Sequence, residues 1–122
     1  MKNQIEILYF EGCPHWELAA QRARDALTAC GAEQEAELHL VVVDSHEEAV
    51  RRRFVGSPTV RIGGLDVDAS ADERTDYGLQ CRVYDVGGGF DGAPPVEWIV
   101  AALRGGPRLG AGPSEGAGGC CK

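Results

Sequence analysis

No apolar stretch in this 122-residue chain approaches the roughly 20 residues that cross a bilayer, so neither a membrane span nor a membrane partner is expected. A secretory pattern is missing too. Lys2 is followed by Asn3 and Gln4, and the short apolar run after them is interrupted by Glu6. The expectation is a cytoplasmic protein. Positive charge is scarce: 12 Lys and Arg face 19 Asp and Glu, for a formal net charge of −7. Such a chain is repelled by phosphate backbones, which argues against a nucleic-acid partner. The triplet Arg51-Arg52-Arg53 does not reverse this, because it falls at the end of an expected short helix, where cations complement the dipole. No C-x-x-C pair occurs, so a closed structural zinc site is not expected. Gly87-Gly88-Gly89 lacks the surroundings of a phosphate loop and reads as a turn.

What is present is ordinary for one soluble domain with a modest core, 43% hydrophobic and 25% charged. The five cysteines are an odd number without an export signal, which favours reactive or metal-binding thiols over a disulfide framework. Ile5 to Phe10 is an apolar run expected to form a buried strand, with Ile5, Leu8 and Phe10 as core candidates. Trp16, Ala19, Ala23, Ala26, Leu27 and Cys30 recur at helical steps, predicting a helix from Pro14 to Cys30 that Gly31 ends. Cys30, on that stripe, reads as a small buried hydrophobe. Leu38 to Val43 predicts a second strand. Ser45-His46-Glu47-Glu48 is a capping box opening a short helix to about Phe54, with Gly56 as its terminator. Thr59–Ile62 and Leu65–Val67 flank Gly63-Gly64, a two-residue hairpin signal. Asp68 to Gly78 reads as a loop, and Leu79 to Tyr84 as a further edge strand. Pro94-Pro95 opens a last helix with Val96, Ile99, Val100 and Leu103 on its apolar face.

Residues 105–122 change character. Glycine and proline dominate and little apolar mass remains, so a flexible tail is expected, ending in Cys120-Cys121-Lys122.

The chemistry concentrates at Tyr9-Phe10-Glu11-Gly12-Cys13-Pro14-His15-Trp16. Pro14 fits the first position of a helix, which makes Cys13 the expected N-cap. A sulfur there faces unpaired backbone N–H groups and the positive end of the dipole. Both favour the thiolate, so Cys13 is expected to be nucleophilic at neutral pH.

The order β-α-β-α-β-β-α, with Gly12-Cys13-Pro14-His15-Trp16 at the first strand–helix junction and Gly56-Ser57-Pro58-Thr59-Val60 opening the third strand, resembles the thioredoxin fold over about residues 4–104. The chain is similar to a group of small bacterial thioredoxin-like proteins with a Phe-x-Gly-Cys-Pro start and a later Cys-Arg-Val/Leu-Tyr segment, here Cys81 to Tyr84. Some members are labelled alkylmercury-lyase-like. The resemblance implies an α/β domain over residues 1–104, with a four-stranded mixed sheet and helices on both faces. It implies a cis Pro58 lying against a nucleophilic Cys13, with Pro14, Trp16, Ser57 and Pro58 around the substrate. The departure is Trp16, which stands where a thioredoxin motif has its second cysteine.

Cys13 therefore needs a distal thiol to complete disulfide exchange. Cys81, Cys120, Cys121 and an external low-molecular-weight thiol are the candidates. Cys81 divides evenly between that role and an edge-strand core thiol. A glycine-rich coil from Gly105 to Cys120 has an r.m.s. span of about 20 Å. That is comparable to the ~13 Å radius of gyration of a hundred-residue domain, so the tail tip is within reach of Cys13. Adjacent cysteines make a strained disulfide but a good chelate for soft Hg(II) or As(III). The pair resembles the C-terminal cysteines of mercuric reductases. Two function classes follow. The first is a thiol–disulfide oxidoreductase without a cofactor, acting on a thiol or disulfide substrate and served by a reductase. The alternative is a mercury- or arsenic-binding transfer protein with a metal-handling partner, its metal ligands Cys13, Cys81, Cys120 and Cys121.

Overall fold

A computed structural model describes residues 3–31 and 36–105. The first element, β1 (Asn3–Tyr9), leads into α1 (Trp16–Cys30) and β2 (Ala36–Val42). Next come α2 (His46–Arg52), β3 (Thr59–Ile62), β4 (Leu65–Asp66) and a 3-10 turn over Ala69–Glu73. A short hairpin, β5 (Tyr84–Asp85) and β6 (Phe90–Asp91), precedes α3 (Val96–Leu103). The main sheet has four strands in the order β2-β1-β3-β4. β2 runs parallel to β1, while β3 is antiparallel to β1 and β4 antiparallel to β3. The expected mixed four-stranded sheet is therefore present.

β1 lies inside the sheet; one face, Ile5 and Ile7, is fully apolar and buried, while the other carries exposed Gln4 and half-buried Glu6 before buried Leu8. Ile5 and Ile7 join Val60 and Ile62 of β3 beneath Ala19, Ala23, Ala26 and Leu27 of α1 and Ile99 of α3. The alanines of α1 bring that helix close to the sheet. Leu8 points the other way and packs with Val43, Ala49 and Phe54 under α2. Helices thus cover both faces. Burying Ile5 or Ile7 completely contributes about 1.5–3 kcal/mol each. Of the expected core residues in β1, Phe10 is only half-buried.

Local chemistry explains the ends. Ser45 Oγ accepts the Glu48 N–H at 3.1 Å, which is half of the capping box. The Glu48 carboxylate turns instead to Arg51 and Arg52. α2 is stopped by Arg53 rather than Gly56: Arg53 takes a left-handed conformation (φ 55°) and its N–H bonds back to Val50. The Gly63-Gly64 turn, with both φ positive, joins β3 to β4 as its sequence implies. Asp68 caps the 3-10 turn by accepting from the Ser70 N–H at 3.0 Å, which orders part of the expected loop. Cys30 ends α1 half-buried, so it is not enclosed in the core as its place on the stripe implied. Among the described residues, no helix is long and apolar enough to cross a membrane.

Candidate functional site

The register fixes where the site forms. Tyr9 ends β1 opposite Val42, and Leu8 pairs with Thr59, the first residue of β3. The loop after β1 and the segment before β3 therefore leave from the same end of the sheet. The first carries Cys13 and the second carries Ser57 and Pro58, joined by a cis peptide bond.

Cys13 is not the N-cap. Its N–H closes a tight turn onto the Phe10 carbonyl at 3.0 Å, and the chain makes a further turn through Pro14 and His15. α1 opens at Trp16 with His15 as its N-cap. The Cys13 sulfur accepts one backbone N–H, that of His15, at 3.4 Å. Cys13 is 4% exposed, so an attacking or attacked sulfur must be presented down into a recess. Pro14 stands exposed at its rim. Trp16 stacks on Tyr9, with ring centroids 4.5 Å apart, which closes one side of the Cys13 loop.

Ser57 and Pro58 are buried. The Ser57 hydroxyl has no hydrogen-bond partner, a rare condition for a buried polar atom. Alongside runs the segment carrying Cys81. The Ser57 N–H donates to the Gln80 carbonyl at 2.8 Å, and the Arg82 N–H donates to the Ser57 carbonyl at 2.9 Å. This is an isolated parallel bridge centred on Ser57 and Cys81, not the further edge strand that the alternation implied. Cys81 is exposed, which removes the core-thiol reading. Cys13, Ser57, Pro58 and Cys81 thus gather at one end of the sheet. Cys120 and Cys121 lie outside the described residues.

The residues that hold this end were missed by sequence reasoning. From Cys81 to Tyr84 the chain alternates out, in, out, in, and the inward pair is Arg82 and Tyr84. Arg82 forks onto Asp66 at 2.8 and 3.1 Å, reaches Asp68 at 3.5 Å and donates to Thr59 Oγ1 at 3.0 Å. Its guanidinium lies 4.4 Å from the centre of the Tyr84 ring. Burial opposes the charge, but Tyr84, Asp66 and Asp68 overcome that and hold Arg82 above the ordinary arginine range. Burial likewise pushes the Tyr84 phenol up, against the opposing pull of Arg82. The Tyr84 hydroxyl donates to the Pro58 carbonyl. A buried cation and a buried phenol therefore brace Pro58 and Thr59 from behind. The signal was available as a period-two alternation with arginine at an inward position, which is rare unless the charge is paired.

Two glycines let the pieces approach. Gly56 has φ 139°, and a Cβ there would lie 2.9 Å from Arg82 Cβ and 3.2 Å from the Gln80 carbonyl oxygen. A Cβ on Gly92 would meet the His15 ring at 2.7 Å, so the chain just after β6 rests on the Cys13 loop. Arg22 of α1 ties the same segment down, bonding Asp91 at 3.0 Å and the Ala93 carbonyl at 3.0 Å.

Comparison with protein-family models, with curated proteins and with solved structures gave no match.

Proposed function

We propose that this chain is a thioredoxin-like thiol–disulfide exchange protein with Cys13 as nucleophile and Cys81 as resolving thiol. The observation that carries the reading is the shared sheet end: the Cys13 loop leaves β1 there, and the cis Ser57–Pro58 bond, bridged to Cys81, enters β3 there. The strand order β2-β1-β3-β4, with helices on both faces, supports the fold part of it.

The chemistry balances as two exchanges. The Cys13 thiolate attacks one sulfur of a substrate disulfide. One substrate thiolate leaves and a mixed disulfide forms on Cys13. The Cys81 thiolate then attacks the Cys13 sulfur and releases the second substrate thiolate, leaving a Cys13–Cys81 disulfide. Two equivalents of a low-molecular-weight thiol reduce that bond and are themselves joined as a disulfide.

Turnover of bis(2-hydroxyethyl) disulfide with glutathione as reductant tests this. Cys13→Ser is expected to abolish turnover. Cys81→Ser is expected to leave the first exchange intact and, given the disulfide with glutathione withheld, to accumulate a mixed disulfide on Cys13, visible by peptide mapping. Full turnover by Cys13→Ser overturns the reading. Turnover by Cys81→Ser that disappears when Cys120 and Cys121 are also replaced moves the resolving role to the tail.

A further inference from the structure

Of the ten arginines in the chain, four line one cleft of about 300 Å³ on the side of the molecule built by β3, β4 and the 3-10 turn. They are Arg52, Arg53, Arg61 and Arg74. In a chain of net charge −7 this concentration of cations is unexpected. Two of the four are already matched. Arg52 is held by Glu48, and Arg74 by Asp76. The other two are not: among the described residues neither Arg53 nor Arg61 forms an ion pair. Arg61 is half-buried, and one of its terminal nitrogens donates to the carbonyls of Arg52 and Arg53 at 2.7 and 3.0 Å. Its guanidinium is thereby fixed at the C-terminal end of α2 with donors left over. Burial pushes the Arg61 pKa down, and the charges of Arg82 and Arg52 add to that, against Asp66 and Glu6. A bound anion would relieve both.

Two carboxylates share the cleft. They are Asp66, already forked by Arg82, and Asp72, so Arg53 and Arg61 together exceed the one carboxylate that Arg82 does not hold. Val55, Leu65 and Tyr77 supply an apolar and aromatic wall. The volume is at the small end of ligand pockets. Planar guanidinium forks match phosphate and carboxylate oxygens.

We propose that this cleft binds a small organic dianion, a phosphate monoester or a dicarboxylate, with Arg53 and Arg61 as the charged contacts and Tyr77 against its carbon skeleton. The site is distinct from the thiol end and does not rest on the role given to Cys13. The Arg51-Arg52-Arg53 triplet thereby gains a purpose at Arg53. The left-handed backbone there ends α2, and the side chain carries an unmatched charge into the cleft.

Isothermal titration of the full chain with phenyl phosphate, inorganic phosphate and succinate tests it. The expected result is saturable one-to-one binding of phenyl phosphate or succinate that weakens with added salt. Phenyl phosphate binding more tightly than succinate assigns a phosphate ester, and the reverse assigns a dicarboxylate. Inorganic phosphate is expected to bind more weakly than the better organic probe, because it cannot use Tyr77. Arg53→Asn keeps a residue that tolerates the left-handed backbone and is expected to weaken binding about tenfold or more, a loss of one charge-assisted contact. Arg61→Gln is expected to do the same; should it unfold α2, Arg53→Asn still decides. Absence of saturable binding by all three probes overturns the proposal, as does unchanged affinity in Arg53→Asn.

Discussion

Arg82 is the residue on which the end of the sheet depends. Its charge is buried and matched by Asp66 and Asp68, so its loss leaves carboxylates without their cation. Arg82→Ala is expected to cost about 3–5 kcal/mol, read from chemical denaturation. Tyr84→Phe removes only the hydrogen bond to Pro58 and leaves one buried carbonyl unmatched, so about 1–3 kcal/mol is expected. Equal costs for the two would show that the cation does not carry the bracing. Arg82→Lys is expected to recover only part of the loss, because an ammonium cannot fork onto Asp66 while reaching Thr59. Legibility at this scale was uneven. Cys13, Ser57 and Pro58 stood out because few packing roles need such residues in such contexts. Arg82 stood inside the Cys-Arg-Val-Tyr segment that carried part of the resemblance, but no role was read for the arginine itself. Its partners Asp66 and Asp68 are nearby in sequence but belong to the preceding hairpin and loop, and no local pattern links them to it.

Among the elements, the β5–β6 hairpin is the least rooted. Each of its strands has two residues, and Phe90 is 74% exposed. Its anchors are Arg22 to Asp91, Gly92 against His15, and Tyr84 below. Partial burial pushes the Asp91 carboxyl up, but the Arg22 guanidinium and the N–H groups of Ala93 and Gly92 more than reverse this and hold it below the usual range. The folded value is thus below the unfolded one. The contribution is complete above the ordinary aspartate range and disappears as pH falls through the lowered folded value. Stability measured across that acid window is expected to depend less on pH in Asp91→Asn than in the parent. Parallel curves for the two proteins would show that the contact is not made in solution. The longer elements were legible from their periods and caps: β1, α1, β2, α2, the β3–β4 hairpin and α3 all stand near their expected places. What the sequence concealed was the approach to α1. The Cys13-to-Phe10 hydrogen bond closes the Glu11-Gly12 turn, the His15 N–H turns back onto the Cys13 sulfur, and Pro14 satisfies such a turn as well as it satisfies a first helical position.

Across the whole molecule, stability is distributed unevenly. The Ile5, Ile7, Val60 and Ile62 face of β1 and β3 is enclosed under α1 and α3, whereas the segment from Leu79 to Phe90 carries exposed Leu79, Val83, Val86 and Phe90. Native-state hydrogen exchange is expected to rank the amides of Ile7 and Val60 among the slowest, while Val86, bonded to Gly89 across the hairpin turn, exchanges through local opening. Exchange of Val86 as slow as that of Ile7 would contradict this.

The bonds that complete the thiol end join distant parts of the chain: Arg82 to Thr59 spans 23 residues, Tyr84 to Pro58 spans 26, and Arg22 to Asp91 spans 69. During synthesis, which runs from the N-terminus, Cys13 leaves the ribosome long before Cys81 or the hairpin exists. The strands that form the sheet core, β1 to β4, are made by residue 66, ahead of every residue that braces Pro58 from the 82–84 side. A nascent chain halted before Cys81 therefore has the Cys13 loop but not the segment that rests on it at His15. The contact of Gly92 with His15 and the bonds of Arg22 to Asp91 and Ala93 form only when the last third of the chain arrives.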